Sequence, residues 1–319
     1  MWAFHKETSE FRNPSETEIE RLIEGLDSVS EGELGVSLLV AYGEQAVPSL
    51  RRFLMCGPPR SVYVGRQRAV KALSQLSAVS VLIEYLTAEK QIPDPILRYS
   101  EEAVENSAAR ELQQWKTDDV FNALLQVVNQ RPLRGAVEAI GTFRRKAAVP
   151  ALIHHLEDDV ARPEAEEALT RLRGFAIEDL ILTVRSPEPS ALFELPSSLR
   201  RRQSALKVLS AGILSMAEWE RLRFLLYESD SLLLVRAAGI VLNSGYRLDT
   251  ALAIRTLVEQ LAAGDWNVVA EAEQILLENY NLTCSALEAE INIRHEARDL
   301  DSRKLLALLR SIVRRGEAA

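Results

Sequence analysis

Along this chain a large apolar residue is followed by apolar residues three and seven positions later, and the phrase recurs. It reads Val47-Leu50-Leu54, Val79-Leu82-Leu86, Phe121-Leu124-Val128, Val149-Leu152-Leu156, Ile177-Leu180-Val184, Trp219-Leu222-Leu226 and Ile254-Leu257-Leu261. Successive anchors lie 32, 42, 28, 28, 42 and 35 residues apart. Offsets of three and seven put side chains on one stripe of an α-helix, and such self-similarity predicts stacked helical units, each too small to bury its apolar face alone. After each anchor helix comes a break: Gly57-Pro58-Pro59, Pro93 and Pro95, Pro132, Pro163, Pro187 with Pro189 and Pro196, and Gly264. These residues are poor in a helix interior. A second, alanine-rich helix is then expected, around Arg66-Gln67-Arg68-Ala69, Arg162-Pro163-Glu164-Ala165, Arg202-Gln203-Ser204-Ala205 and, more loosely, Val235-Arg236-Ala237-Ala238. Small side chains there let neighbouring helices approach closely.

At the N-terminal end Ser15 and Glu18 make a capping box, followed by Ile19, Leu22, Ile23 and Leu26 on one face. The expected division is an N-terminal arm and capping helix over 1–32, a repeat array over 33–284, and C-terminal capping helices over 285–319. No stretch alternates apolar and polar residues for long, and aromatics make up only 6% of the chain. The expected fold is therefore all-α, a single right-handed α-solenoid of about seven helical hairpins with end caps.

The phrases Ala46-Val47-Pro48-Ser49-Leu50 and Ala148-Val149-Pro150-Ala151-Leu152, each followed downstream by Arg-x-x-Ala, carry a resemblance. They resemble HEAT-like repeats of the short type found in phycobilin lyases, over roughly residues 33–280. The third repeat departs from the pattern with Glu105 where the arginine would stand, and the seventh with Val269. The resemblance implies a fold rather than an activity. A non-enzymatic scaffold for a protein partner is the expected function. A groove holding a bilin or its acceptor protein, or one gripping a nucleic-acid backbone, are the alternatives.

Charge weighs against the last of these. The net charge is −8, and the clusters Arg51-Arg52, Arg144-Arg145-Lys146, Arg200-Arg201-Arg202 and Arg314-Arg315 fall on different helix faces. No apolar run approaches the length of a membrane-spanning helix, about 18 residues. Cys56 and Cys284 fit neither a metal-ligand spacing nor a disulfide framework, and the start lacks a secretory signal, so a cytoplasmic protein is expected. Of the four histidines, His154 and His155 are adjacent on a helix and diverge by about 100°. Only His295-Glu296 forms the His-Glu pair that HEAT-repeat deoxyhypusine hydroxylases use several times to bind iron. No metal and no other cofactor is expected.

Three sets of residues are candidates for function. The repeated arginines Arg66, Arg162, Arg202 and Arg236 recur with the repeat rather than once at a site, which points to a structural tie between adjacent repeats. One or two helical turns further on, Lys71, Gln75, Arg110, Gln114, Glu138, Glu167, Arg171 and Lys207 are expected to face the concave side, a row of mixed sign suited to a protein partner. Both 42-residue steps contain proline-rich insertions, Thr87–Leu97 and Ser186–Leu199, with apolar residues Ile92, Ile96, Leu97, Leu192, Phe193 and Leu195. They form either a binding rim, with Phe193 as its contact, or a flap that folds back over the gap between repeats.

Overall fold

The structure is a computed structural model that describes residues 15–57, 61–190, 193–263, 265–295 and 300–318. The expected arm over 1–14, together with Pro58, Pro59, Leu192, Gly264 and Glu296, lies outside the described residues. Among those residues every named element is a helix, and the one β feature is a lone bridge between Pro189 and Glu194. The fold is all-α, as the periodicity predicts, and no helix is long and apolar enough to cross a membrane.

The chain divides into two compact units, one ending at Phe143 and one beginning at Arg144. The first contains α1 (Glu16–Glu24), α2 (Gly32–Ala41), α3 (Val47–Cys56), α4 (Val64–Gln75), α5 (Val79–Thr87), α6 (Pro95–Leu112), α7 (Asp118–Gln130) and α8 (Arg134–Gly141). Odd-numbered helices pack on one another in one layer and even-numbered helices in a second, and each odd helix packs on the even one that follows it. The second unit contains α9 (Val149–His154), α10 (Arg162–Arg171), α11 (Arg173–Arg185), α12 (Pro196–Ser210), α13 (Met216–Glu220), α14 (Ser231–Ser244), α15 (Arg247–Ala263), α16 (Trp266–Glu278), α17 (Tyr280–Arg294) and α18 (Leu300–Glu317). Here α10, α12, α14 and α16 stack in sequence, and α18 packs on α15, α16 and α17.

The recurring phrase is the core. In all seven copies the residues at +3 and +7 are buried, from Leu50 and Leu54 to Leu257 and Leu261. The second helices bring their alanines to the same place: Ala69, Ala72, Ala165, Ala168, Ala205, Ala237 and Ala238 are all fully buried. The Ala-Val-Pro phrase has a local reason as well. Ala46 and Ala148 are buried, and Pro48 and Pro150 sit in the first turn of α3 and α9, where a missing N–H leaves no bond unmade.

Three of the prolines read as breaks are helix starts. Pro95, Pro163 and Pro196 lie in the first turn of α6, α10 and α12. The two insertions are accordingly shorter than expected, 88–94 and 186–195, because their last residues belong to the helix that follows. Side-chain caps fix other starts: Ser15 accepts from the Glu18 N–H, Asp94 from those of Ile96 and Leu97, and Ser215 with Glu218 forms a capping box.

Candidate interaction surface

The last carbonyls of a helix have no partner within it. Two of the repeated arginines supply one. Arg66 donates to the Leu54 carbonyl (2.5 Å) and to Glu101 (2.5 Å), and Arg202 to the Val184 carbonyl (2.7 Å) and to Glu194 and Glu228 (2.6 Å each). Leu54 and Val184 are both the +7 residue of their phrase. Arg236 instead joins α12, through the Gln203 carbonyl (2.6 Å), to α16, through both oxygens of Glu271 (2.6 and 3.0 Å). All three are buried. Arg162 is different. It is half-exposed and pairs with Asp159, three residues back, at 3.3 Å. It is the first residue of α10, whereas Arg202 is a turn and a half inside α12, so its side chain meets the preceding turn rather than a neighbouring hairpin.

At the third repeat, where Glu105 replaces the arginine, the same site is built with the charges reversed. Glu105 is buried and accepts from Lys90, in the first insertion (2.7 Å), and from Arg131, just after α7 (2.5 Å). Arg131 also reaches the carbonyl of Leu86, the +7 residue of that phrase (3.4 Å). Lys90 lies over the Tyr85 ring, 3.5 Å from its centroid, and pairs with the buried Glu101 at 3.1 Å. The Tyr85 hydroxyl donates to Glu101 at 2.6 Å, and burial, with the negative charge of Glu101, pushes the phenol well above its ordinary pKa.

Each insertion thus returns one charged side chain to a buried site, Lys90 in the first and Glu194 in the second. The second is further folded by the Pro189–Glu194 bridge and by Glu188, whose N–H donates to Ser198 while its carboxylate pairs with Arg201. Phe193 does not fold back with it. It is 78% exposed, and Tyr227, which precedes Glu228 as Phe193 precedes Glu194, is 76% exposed.

The expected row lies on the exposed face of the second helices. In the first unit Lys71 pairs with Glu33 (2.8 Å), Arg110 with Glu138 (2.7 Å), and Gln114 donates to Ser74 (2.7 Å). Gln75 is exposed beside them. The cations of Lys71 and Arg68 hold the Glu33 carboxyl below its ordinary range. In the second unit Arg171 pairs with Glu167 along α10, and Lys207 of α12 with Glu166 of α10 (2.6 Å). The charges of the row are thus each matched, Lys71, Arg110, Glu138 and Lys207 across adjacent helices and Arg171 with Glu167 along one.

Sequence reasoning did not single out Trp266. This first residue of α16 is 81% exposed and borders a trough of about 440 Å³, lined also by Lys207, Arg236, Gly239, Asn243 and Gln274. The available signal was a tryptophan at a helix start, outside the recurring phrase and following the polar Asp265.

A family model described as PBS lyase HEAT-like repeat matches residues 132–158, which take in α8 and α9. No curated protein matches the chain. Over the matched stretch the chain is similar to a HEAT-like repeat of the phycobilin-lyase type, and its helices build an all-α repeat fold.

Proposed function

We propose that this chain is a non-enzymatic, cytoplasmic repeat scaffold that binds a protein partner through the exposed face of its second helices and the edge formed by its insertions. The observation that carries this reading is the placement of Phe193, Tyr227 and Trp266. These aromatics stand outside the core on a frame whose +3 and +7 positions are otherwise buried. Exposed aromatics on a rigid frame are among the residues that dominate protein interfaces, and the paired charges around them suit a polar rim more than proton transfer. A photo-cross-linking residue at position 193, 227 or 266 should attach one polypeptide in cells. The same residue at Leu182, exposed on α11 in the other helix layer, should not. Equal labelling at all four positions would overturn the reading.

A second reading rests on a different pocket. About 580 Å³ in volume, it is lined by α15 and α17, with Arg247, Arg255 and Arg294 around Ala251, Ile254 and Val258; Glu259 and Glu290 line it too and pair with Arg255 and Arg294. Cations around an apolar floor suit a bilin, whose carboxylates flank an apolar ring system. Incubation with biliverdin, followed by gel filtration, should leave visible absorbance with the protein and lose it in the Arg247→Glu/Arg255→Glu variant. Chromophore-free protein would dismiss this second reading.

A further inference from the structure

The trough beside Trp266 has a form and a residual charge that name its occupant. It lies over α14, between α12 and α16. At Gly239 an added Cβ would stand 3.0 Å from Ile275 Cδ1, so the absent side chain both admits α16 and leaves the floor low. On α16 the residues Trp266, Ala270, Gln274 and Glu278 follow one another every four positions and make a single wall. Both cations that line the trough are neutralised: Lys207 by Glu166, and Arg236 by both oxygens of Glu271. Neither Glu278, which lines the trough at the C-terminal end of α16, nor Asp265, the N-cap residue just before Trp266, is matched in this way. Asp265 has no ion pair among the described residues, and Glu278 accepts only from the amide of Gln274, at 2.8 Å. What remains is an exposed indole next in the chain to one carboxylate without an ion pair, with a second at the far end of the same wall.

We propose that this trough binds a basic, extended segment of a partner protein, with one cation over the Trp266 indole beside Asp265 and a second against Glu278. The proposal rests on the scaffold reading and specifies its partner. An aromatic face attracts a cation through its quadrupole, and a neighbouring carboxylate strengthens the attraction. Trp266 and Glu278 stand about 18 Å apart along α16 at 1.5 Å per residue, which an extended chain spans in about six residues at about 3.3 Å each. The amides of Asn243 and Asn267, which also line the trough, can serve the main chain of such a segment. A phosphate-bearing polymer is disfavoured by the same residual charge.

The test uses the full chain and a fluorescein-labelled Gly/Ser peptide with two arginines about six residues apart, alongside a copy in which glutamates replace the arginines. Fluorescence anisotropy should show saturable binding of the basic peptide only, weakening as salt rises. Trp266→Ala and Glu278→Gln should each reduce affinity about tenfold, while Asp119→Asn, at an exposed acid in the other unit, leaves it unchanged. Equal binding of the glutamate copy, undiminished binding by both trough variants, or no saturable binding at all would each overturn the proposal. The cross-linker at position 266 separates the two failures. Capture of one polypeptide there, without binding of the basic peptide, would retain the scaffold and reject this partner, whereas no adduct at 193, 227 or 266 would reject both.

Discussion

Glu105 in the first unit and Arg202 in the second occupy corresponding places in hairpins that each contain an insertion, and they are inverted copies of one site. Glu105 draws a cation from its insertion, Lys90, and another from 26 residues onward, Arg131. Arg202 draws an anion from its insertion, Glu194, and another from 26 residues onward, Glu228. In both, one guanidinium reaches the carbonyl at +7 of the preceding helix, contributed by Arg131 in one case and by Arg202 itself in the other. What these two hairpins share is therefore a buried charge with two opposite partners and a guanidinium on a helix end. The sign at any one position is free, provided its partners change with it.

The strongest way to break this comparison is to invert one copy. Arg202→Glu alone puts three carboxylates at a buried point and should cost more than the roughly 3–5 kcal/mol typical of breaking a buried pair. Adding Glu194→Lys and Glu228→Arg rebuilds the arrangement seen around Glu105 and should recover at least half of the loss in urea denaturation. A triple variant no more stable than the single one would show that the two sites are not equivalent. Next in size, Arg202→Ala and Glu105→Ala should each cost about 3 kcal/mol. Arg162→Ala should cost about 0.5 kcal/mol or less, since its pair is exposed; a loss equal to that of Arg202→Ala would restore Arg162 to the buried set.

Alkaline titration sharpens the comparison, because only the first copy includes a tyrosine. The folded pKa of Tyr85 is raised above its ordinary value of 10.0. Its contribution to stability is therefore complete below pH 10 and is lost as pH rises toward the folded value, where the unfolded chain has already released the proton. Tyr85→Phe should flatten the alkaline fall in melting temperature, and a curve superimposable on the parent would exclude Tyr85 as its source. A smaller effect than that of Arg202→Ala or Glu105→Ala is expected from the insertions themselves. Lys90→Met and Glu194→Gln each leave the central residue one partner and should lower stability by about 1–2 kcal/mol. Limited proteolysis should then cut within 88–94 and 186–195 respectively, each variant in its own insertion.

The core was readable because burial imposes a period: Leu50, Leu54 and their counterparts announce one helix face at fixed offsets. The charged sites were not, for a physical reason. Their pairs join residues separated by insertions of unequal length, so Glu105 looks like a lost arginine until Lys90 and Arg131 are seen beside it. Arg162 shows the reverse case, a residue that fits the phrase but sits at N1 of its helix, with Pro163 next to it, away from any neighbour's carbonyl. The row from Lys71 to Lys207 was expected to face the concave side, but pairs such as Lys71–Glu33 close across 38 residues and no local spacing reveals them. Trp266 went unnoticed because a pattern that rewards buried apolar residues passes over an exposed one.

The two copies also differ in when they can be completed during synthesis. The carbonyl of Val184 receives its guanidinium from a residue 18 positions later, while that of Leu86 waits for one 45 positions later. At about 5–20 residues per second, Leu86, in the last turn of α5, is joined to the chain roughly 2–9 s before Arg131 is. From its own addition until that of Arg131, 26 residues later, Glu105 has of its two cations only Lys90, so the insertion that looks like an appendage in the finished protein is the earliest partner available to the nascent one.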